Sequence, residues 1–238
     1  MKAQDFSGRP QDFMINHLSE NKGVVLADYG PHWKDHQRFA LMTLRNFGLG
    51  KQSMEERILE EISHLVADLD KNAGGTVNPQ NVFHNVASNV ISLVLFGSCF
   101  DYNDEFLQQY IQLITEISKI INRPWIMGTV IITNLTTILK EEGQWKFPHE
   151  FNPDNFLNEQ GQFEKPEAFI PFSTGPRVCL GEGLARMELF LIMVTLLRRF
   201  QFAWPDDAGE PDYTPVYGVT LTPKPYRMHI RRRERVKQ

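Results

Sequence analysis

Four successive stretches between Pro31 and Ile121 repeat apolar residues at three- and four-residue spacing. That period commits the first half of the chain to amphipathic helices. The first, Pro31 to Asn46, carries Trp33, Phe39, Ala40, Thr43 and Leu44 on one side, and Gly48 stops it. The second follows Ser53, whose spacing to Glu56 reads as a capping box. It presents Met54, Ile58, Leu59, Ile62, Leu65, Val66 and Leu69 before Gly74-Gly75 breaks it. The third opens on Asn78-Pro79, a cap followed by a proline in the first turn. Its stripe of Val82, Phe83, Val86, Val90, Ile91, Val94 and Leu95 ends at Gly97. The fourth runs from Asp104 to Ile121, and Pro124 closes it.

The character changes at Trp125. Thr129 to Thr133 is β-branched and reads as a strand. Glu141 to Ser173 is rich in Pro, Asn, Gly and aromatic residues and has almost no periodicity, which predicts a long functional loop. Glu182 to Phe200 is apolar almost all round, the pattern of a helix buried in a core. Tyr217–Thr222 and Tyr226–Ile230, joined through Pro223 and Pro225, read as a terminal hairpin. The fold class is therefore mainly α with a small β part. The length of 238 residues sets a prior of one or two domains.

Composition removes several classes of function. With 25 basic against 29 acidic residues the net charge is −4, so no nucleic-acid partner is expected. From Lys224 onward seven basic residues face one acid, Glu234, which leaves peripheral contact with an anionic membrane open. The longest apolar stretch, Leu189 to Leu197, is interrupted by Thr195 and is too short to span a bilayer. The polar start, Met1 to Pro10, is no signal or anchor segment. The two cysteines, Cys99 and Cys179, form no C-x-x-C pair, which excludes a thiolate zinc site and a disulfide framework. Cys99, just past Gly97, is expected to be a packed hydrophobe. His32 and His36 have metal-pair spacing but no third ligand, so they read as surface histidines. There is no nucleophile elbow, no G-x-G-x-x-G and no P-loop.

The stretch Phe172-Ser173-Thr174-Gly175-Pro176-Arg177-Val178-Cys179-Leu180-Gly181 carries the chemistry. Cys179 falls just before a helix N-terminus, where free N–H groups and the helix dipole favour a thiolate. Gly175 and Gly181 allow tight turning and close approach of a flat cofactor. Arg177 is a fixed cation suited to a carboxylate, and Phe172 is placed to shield the sulfur. A sheltered thiolate is a soft metal ligand, and on haem iron it favours O–O cleavage.

This stretch resembles the haem-binding cysteine loop of the cytochrome P-450 haem-thiolate monooxygenases, F-x-x-G-x-R-x-C-x-G, at every fixed position. Gly30-Pro31-His32-Trp33-Lys34 resembles the start of that family's C helix. Gln144-Trp145-Lys146-Phe147-Pro148 and Phe151-Asn152-Pro153 resemble its meander. The flavour is that of the microsomal family-2-like members of animals. The resemblance implies haem b with Cys179 as axial iron ligand. It also implies Arg177 and Trp33 on the haem propionates, Phe172 under the ring, and Gly175 and Gly181 shaping the loop. It names no catalytic residue beyond these. It implies insertion of one oxygen atom of O2 into a small hydrophobic organic substrate, a xenobiotic or a fatty acid. Electrons would come from an NADPH-dependent flavoprotein reductase that docks on the face carrying Lys34. The location implied is the cytoplasmic face of the endoplasmic reticulum membrane.

The chain departs from the family pattern in three ways. The C helix of the family reads W-x-x-x-R, but here the matching position is Gln37, with Arg38 one residue later and about 100° further round the helix. No Glu has an Arg three residues on, so the K-helix E-x-x-R is missing, and no acidic-Thr element of an I helix fits. The family's membrane anchor has no counterpart. The resemblance thus describes one shortened P-450 domain over 1–238. Its helical C-to-F region spans 1–124, and the meander, cysteine loop, L helix and hairpin span 126–238. Such a shortening predicts that the Asn78–Gly97 and Glu182–Phe200 helices lose packing partners. It also raises an alternative: an inactive product that binds haem weakly or competes for the reductase.

Overall fold

The structure, a computed structural model, describes residues 7–9, 20, 22–121, 135–217 and 221–234. The long helices among the described residues are α1 (Pro31–Asn46), α2 (Gln52–Lys71), α3 (Pro79–Phe96), α4 (Glu105–Ile121) and α5 (Glu182–Arg199). The strands are β1 (Thr76–Val77), β2 (Phe200–Ala203), β3 (Val216–Tyr217), β4 (Leu221–Thr222) and β5 (Met228–Arg232). The strand expected at Thr129–Thr133 lies outside the described residues. By contacts the chain divides into two units, one of Met1–Arg38 with Gly128–Glu182, the other of Phe39–Met127 with Gly183–Gln238.

The second unit holds the core. Along α2, Met54, Ile58, Ile62, Leu65, Val66 and Leu69 are buried, the stripe read from the sequence except for Leu59, which is exposed. They pack with Val86, Val90 and Val94 of α3 and with Leu184, Ile192 and Leu196 of α5, while Ile91 and Leu95 of the expected α3 stripe are exposed. The three-stranded antiparallel sheet has the order β1-β5-β2. Its register sets Phe202 opposite Ile230 and Phe200 opposite Arg232. Period-2 alternation then turns Phe200 and Ile230 into the core, both fully buried. A buried polar cluster braces α2 against α3. Glu61 accepts from the Tyr102 hydroxyl at 2.6 Å and from Asn89 Nδ2 at 3.2 Å. Burial pushes the Glu61 carboxyl above its usual range.

Local signals succeed where the side chain meets an orphan backbone group. Asn78 accepts from the Gln80 N–H at 3.0 Å and caps α3. Gly97, at φ 73°, ends it in the left-handed conformation. The capping box at Ser53 does not form. The helix starts two residues earlier, Lys51 sits at the cap without a side-chain bond, and Gln52 Nε2 donates to Glu56 instead.

Three further expectations are corrected. The terminal hairpin is not between 217–222 and 226–230: β3 pairs with β4, while β5 pairs with β1 and β2. The cause is burial, because pairing at the centre of the larger sheet covers Ile230. Helix α5 is not enclosed: Leu189, Phe190 and Leu197 are half-exposed or more, since only one stripe of it meets the core. Cys99 is exposed, not packed, in the segment after Gly97. Its thiol is nonetheless pushed up to about 11, first by partial burial and then by the Glu61 carboxylate.

The first unit is mostly irregular chain. Trp145, Phe156 and Phe169 form an edge-to-face cluster with centroids 5.0 to 6.3 Å apart, and Trp145 Nε1 donates to the Ile138 carbonyl at 3.0 Å. This cluster gives the aperiodic 141–173 segment a fixed shape and leads it to the cysteine loop.

Candidate haem-thiolate site

The cysteine loop is built by backbone bonds within the first unit. The Cys179 N–H donates to the Phe172 carbonyl at 3.0 Å, closing the loop on itself. Inside it, the Val178 N–H donates to the Gly175 carbonyl at 3.1 Å around the short 3-10 turn Gly175–Arg177. Gly175 has φ 74° and Ser173 has φ 66°. The turn at Gly175 therefore needs glycine, as the sequence indicates. Gly181 plays another part: a Cβ there would meet only the Cys179 sulfur, at 3.9 Å, so its lack of a side chain leaves room beside the thiol. Cys179 is exposed, not sheltered by Phe172 as the sequence reading expected, and its carbonyl accepts from the Glu182 N–H at 3.4 Å where α5 begins.

Trp33 and Arg177 come together. Trp33 is buried, and the Arg177 guanidinium stacks 4.3 Å from its ring centroid. Their donors, however, point at the chain itself. Arg177 donates from Nε to the Ser7 carbonyl (2.8 Å), from one terminal nitrogen to Val24 (3.3 Å) and from the other to Ala27 (2.9 Å). Trp33 Nε1 donates to the Val24 carbonyl at 2.9 Å. Burial and the nearby Arg9 cation pull the Arg177 guanidinium below its usual range. Asp28 faces the same cluster. The Arg9 and Tyr29 backbone N–H groups hold its carboxyl below the usual carboxylate range.

Gln37, at the position where the resembled motif has arginine, donates from Nε2 to the Pro176 carbonyl at 3.3 Å. It ties α1 to the cysteine loop as a neutral donor. Arg38 is exposed and lies 3.9 Å from Asp35, away from this contact. His32 and His36 are exposed, and among the described residues no group of three or more His, Cys, Asp or Glu side chains is placed to hold a metal ion.

A haem-thiolate site asks for an accessible soft ligand and for donors free to take two carboxylates. The first requirement is met by the exposed Cys179 sulfur and the side-chain-free Gly181 beside it. The second is met only in part, because three of the five Arg177 N–H donors and the Trp33 N–H already serve three backbone carbonyls. Trp33 and Arg177, both singled out in the sequence, lie together, but their hydrogen-bond partners were not foreseen. Backbone carbonyls of Ser7, Val24 and Ala27 leave no mark in a side-chain pattern.

The family model described as Cytochrome P450 matches residues 1–127 and 126–230, and the chain belongs to the cytochrome P450 family. That family binds haem, usually haem b, through a cysteine thiolate. The chain is 25% identical over 398 aligned positions to Cytochrome P450 2D9 of Mus musculus, covering 95% of this chain and 79% of the relative. It is 27% identical to Vitamin D(3) 25-hydroxylase of Sus scrofa, with 95% and 80% covered. It is 26% identical to Cytochrome P450 2U1 of Homo sapiens, with 98% and 74% covered. A chain of 238 residues cannot fill 398 positions, so at least 160 of them have no residue here. The two matched stretches meet at residues 126–127, beside the change of character seen at Trp125.

Proposed function

We propose that Cys179 is the axial thiolate of a haem b iron and that the chain serves the family's monooxygenase chemistry. That chemistry is insertion of one oxygen atom of O2 into a small hydrophobic substrate such as a xenobiotic or fatty acid. The observation that supports it most is the exposed Cys179, three residues ahead of α5, whose backbone N–H donates to the Phe172 carbonyl. When bound, the haem supplies dioxygen activation at its iron. The protein's share is positional. Gly175 sets the turn, Gly181 clears space beside the sulfur, and Gln37 fastens α1 to the loop. The partner is an NADPH-dependent flavoprotein reductase. Lys34, exposed on α1 with its ammonium 5.0 Å from the Tyr29 ring centroid, is a cation on the docking face. The site of action is the endoplasmic reticulum membrane, reached by peripheral contact. No described helix is long and apolar enough to cross a membrane.

The exposed apolar faces of α4 and α5 favour a second reading, a chain that binds haem or reductase without turnover. Reconstitution separates the two. Haem-loaded chain, reductase, NADPH and a medium-chain fatty acid yield hydroxylated product on the first reading, and Cys179→Ala abolishes it. A chain that shows the thiolate spectrum yet forms no product, while slowing another family member's turnover with limiting reductase, establishes the second.

A further inference from the structure

Helix α5 is bare along one side. Phe190, Met193, Val194 and Leu197 recur at three- and four-residue spacing, so they share a face. All four are exposed, from 38% at Val194 to 66% at Phe190. Ile192 and Leu196, two residues to either side of Val194 and so about 200° round the helix, pack into the core instead. The bare stripe runs into a cationic cleft. Val194 lines that cleft together with Arg198 and Arg199 at the end of α5, and with Asp70, Arg232 and Arg233. All of these residues belong to the second unit. We propose that stripe and cleft form one membrane-docking face, where the apolar side chains enter the headgroup boundary of an anionic bilayer and the arginines take lipid phosphates. It rests on the peripheral membrane contact of the proposed function.

Charge decides the occupant. Arg232 donates to both oxygens of Asp70, and Arg233 Nε donates to the Phe200 carbonyl at 3.0 Å. The side chains of Arg198 and Arg199 have no hydrogen bond or ion pair among the described residues, and Arg199 acts on Asp70 only at longer range. Four arginines against the carboxylates of Asp70 and Glu234 leave the cleft positive. Arginines in the last turn of a helix suit its dipole. That accounts for Arg198 and Arg199 but not for Arg233, which follows β5. A guanidinium fork matches a phosphate. An exposed apolar stripe that ends in cations is the pattern of a helix lying in the plane of a bilayer surface. A second copy of the stripe would cover the apolar side chains and leave the arginines without an anion. An anionic leaflet satisfies both.

Flotation of the full chain with vesicles of phosphatidylcholine, alone or with phosphatidylserine added, reads the contact. The native chain is expected to bind the anionic vesicles and to bind the neutral ones far less. Arg198→Gln combined with Arg199→Gln is expected to weaken binding to the anionic vesicles about 25-fold, at about fivefold for each cation near the surface. Phe190→Ser is expected to weaken binding to both compositions. Lys140→Gln combined with Lys165→Gln removes the same charge from exposed sites of the first unit and is expected to leave binding unchanged. Should the arginine variant melt earlier than the native chain, Phe190→Ser, remote from the helix end, decides in its place. Native-like binding by the arginine variant, or an equal loss in the lysine control, overturns the proposal and leaves peripheral contact to another face. A native chain that floats with neither composition defeats the peripheral contact itself. Displacement from vesicles by inorganic phosphate at the concentration of lipid phosphate would make the cleft a site for free phosphate. A native dimer that Phe190→Ser splits, without vesicle binding, would make the stripe an interface between copies. Either result overturns the membrane assignment, and neither touches the haem reading, which its own spectrum decides.

Discussion

Helices α2 and α5 are of similar length, yet they are buried to very different degrees. Helix α2 is amphipathic and buries seven residues, from Met54 to Leu69. Helix α5 is the more apolar to the eye, and buries only Leu184, Ile192 and Leu196. Leu189, Phe190 and Leu197 on its other sides are 55%, 66% and 49% exposed. A single apolar stripe asks for one packing partner, and α2 finds it in α3 and in part of α5 itself. A helix apolar all round asks for several partners. The relatives have at least 160 aligned positions with no residue in this chain, and those positions are where further partners would come from. Uncovering ~400 Å² of apolar surface costs about 10 kcal/mol at ~25 cal/mol per Å². That is comparable to the whole net stability of a domain.

The sharpest way to break this comparison is to truncate one residue on each helix. Ile58→Ala, at a fully buried site on α2, is expected to cost about 2–5 kcal/mol in urea unfolding. Leu189→Ala on α5 is expected to stay within about 0.5 kcal/mol. Equal losses would mean that α5 is covered in solution. A smaller contrast lies at the helix starts. Asn78→Ala removes a formed cap and is expected to cost about 1 kcal/mol, read as a lower unfolding midpoint. Ser53→Ala, at a capping box that does not form, is expected to cost less than about 0.5 kcal/mol.

A further contrast on α5 is one of pH. Burial alone pushes the Glu188 carboxyl on α5 up to about 7. A folded-state value above the unfolded one means that the folded chain holds the proton more tightly. Stability is then greatest below about pH 4.5 and falls as pH rises through about 7. Glu188→Gln is expected to raise the thermal midpoint at pH 8 and leave it unchanged at pH 4.5. A gain at both pH values would trace to packing and not to charge.

Much of this was legible in the sequence. Helices at 31–46, 79–96 and 105–121 follow from periodicity and caps, because those signals depend on neighbours within one or two turns. The cysteine loop was legible because a tight turn, a cation and a thiol must recur at fixed spacing. What was not legible depends on distant backbone. Nothing local says that β5 pairs with β2 instead of β4, since the choice is made by burying Ile230 and Phe200 together. Nothing in the residue pattern shows that Arg177 turns to three carbonyls. The exposure of α5 was foreseen only through the missing block, since its own composition argues for burial.

The central claim is that Cys179, and no other residue, supplies the thiolate to haem iron. The direct measurement is the absorption spectrum of the ferrous–carbonyl form after loading the full chain with haem. The account predicts the red-shifted Soret band of thiolate-ligated haem in the native chain and in Cys99→Ala, and its loss in Cys179→Ala. A native chain without that band, or a band that survives Cys179→Ala, would contradict it.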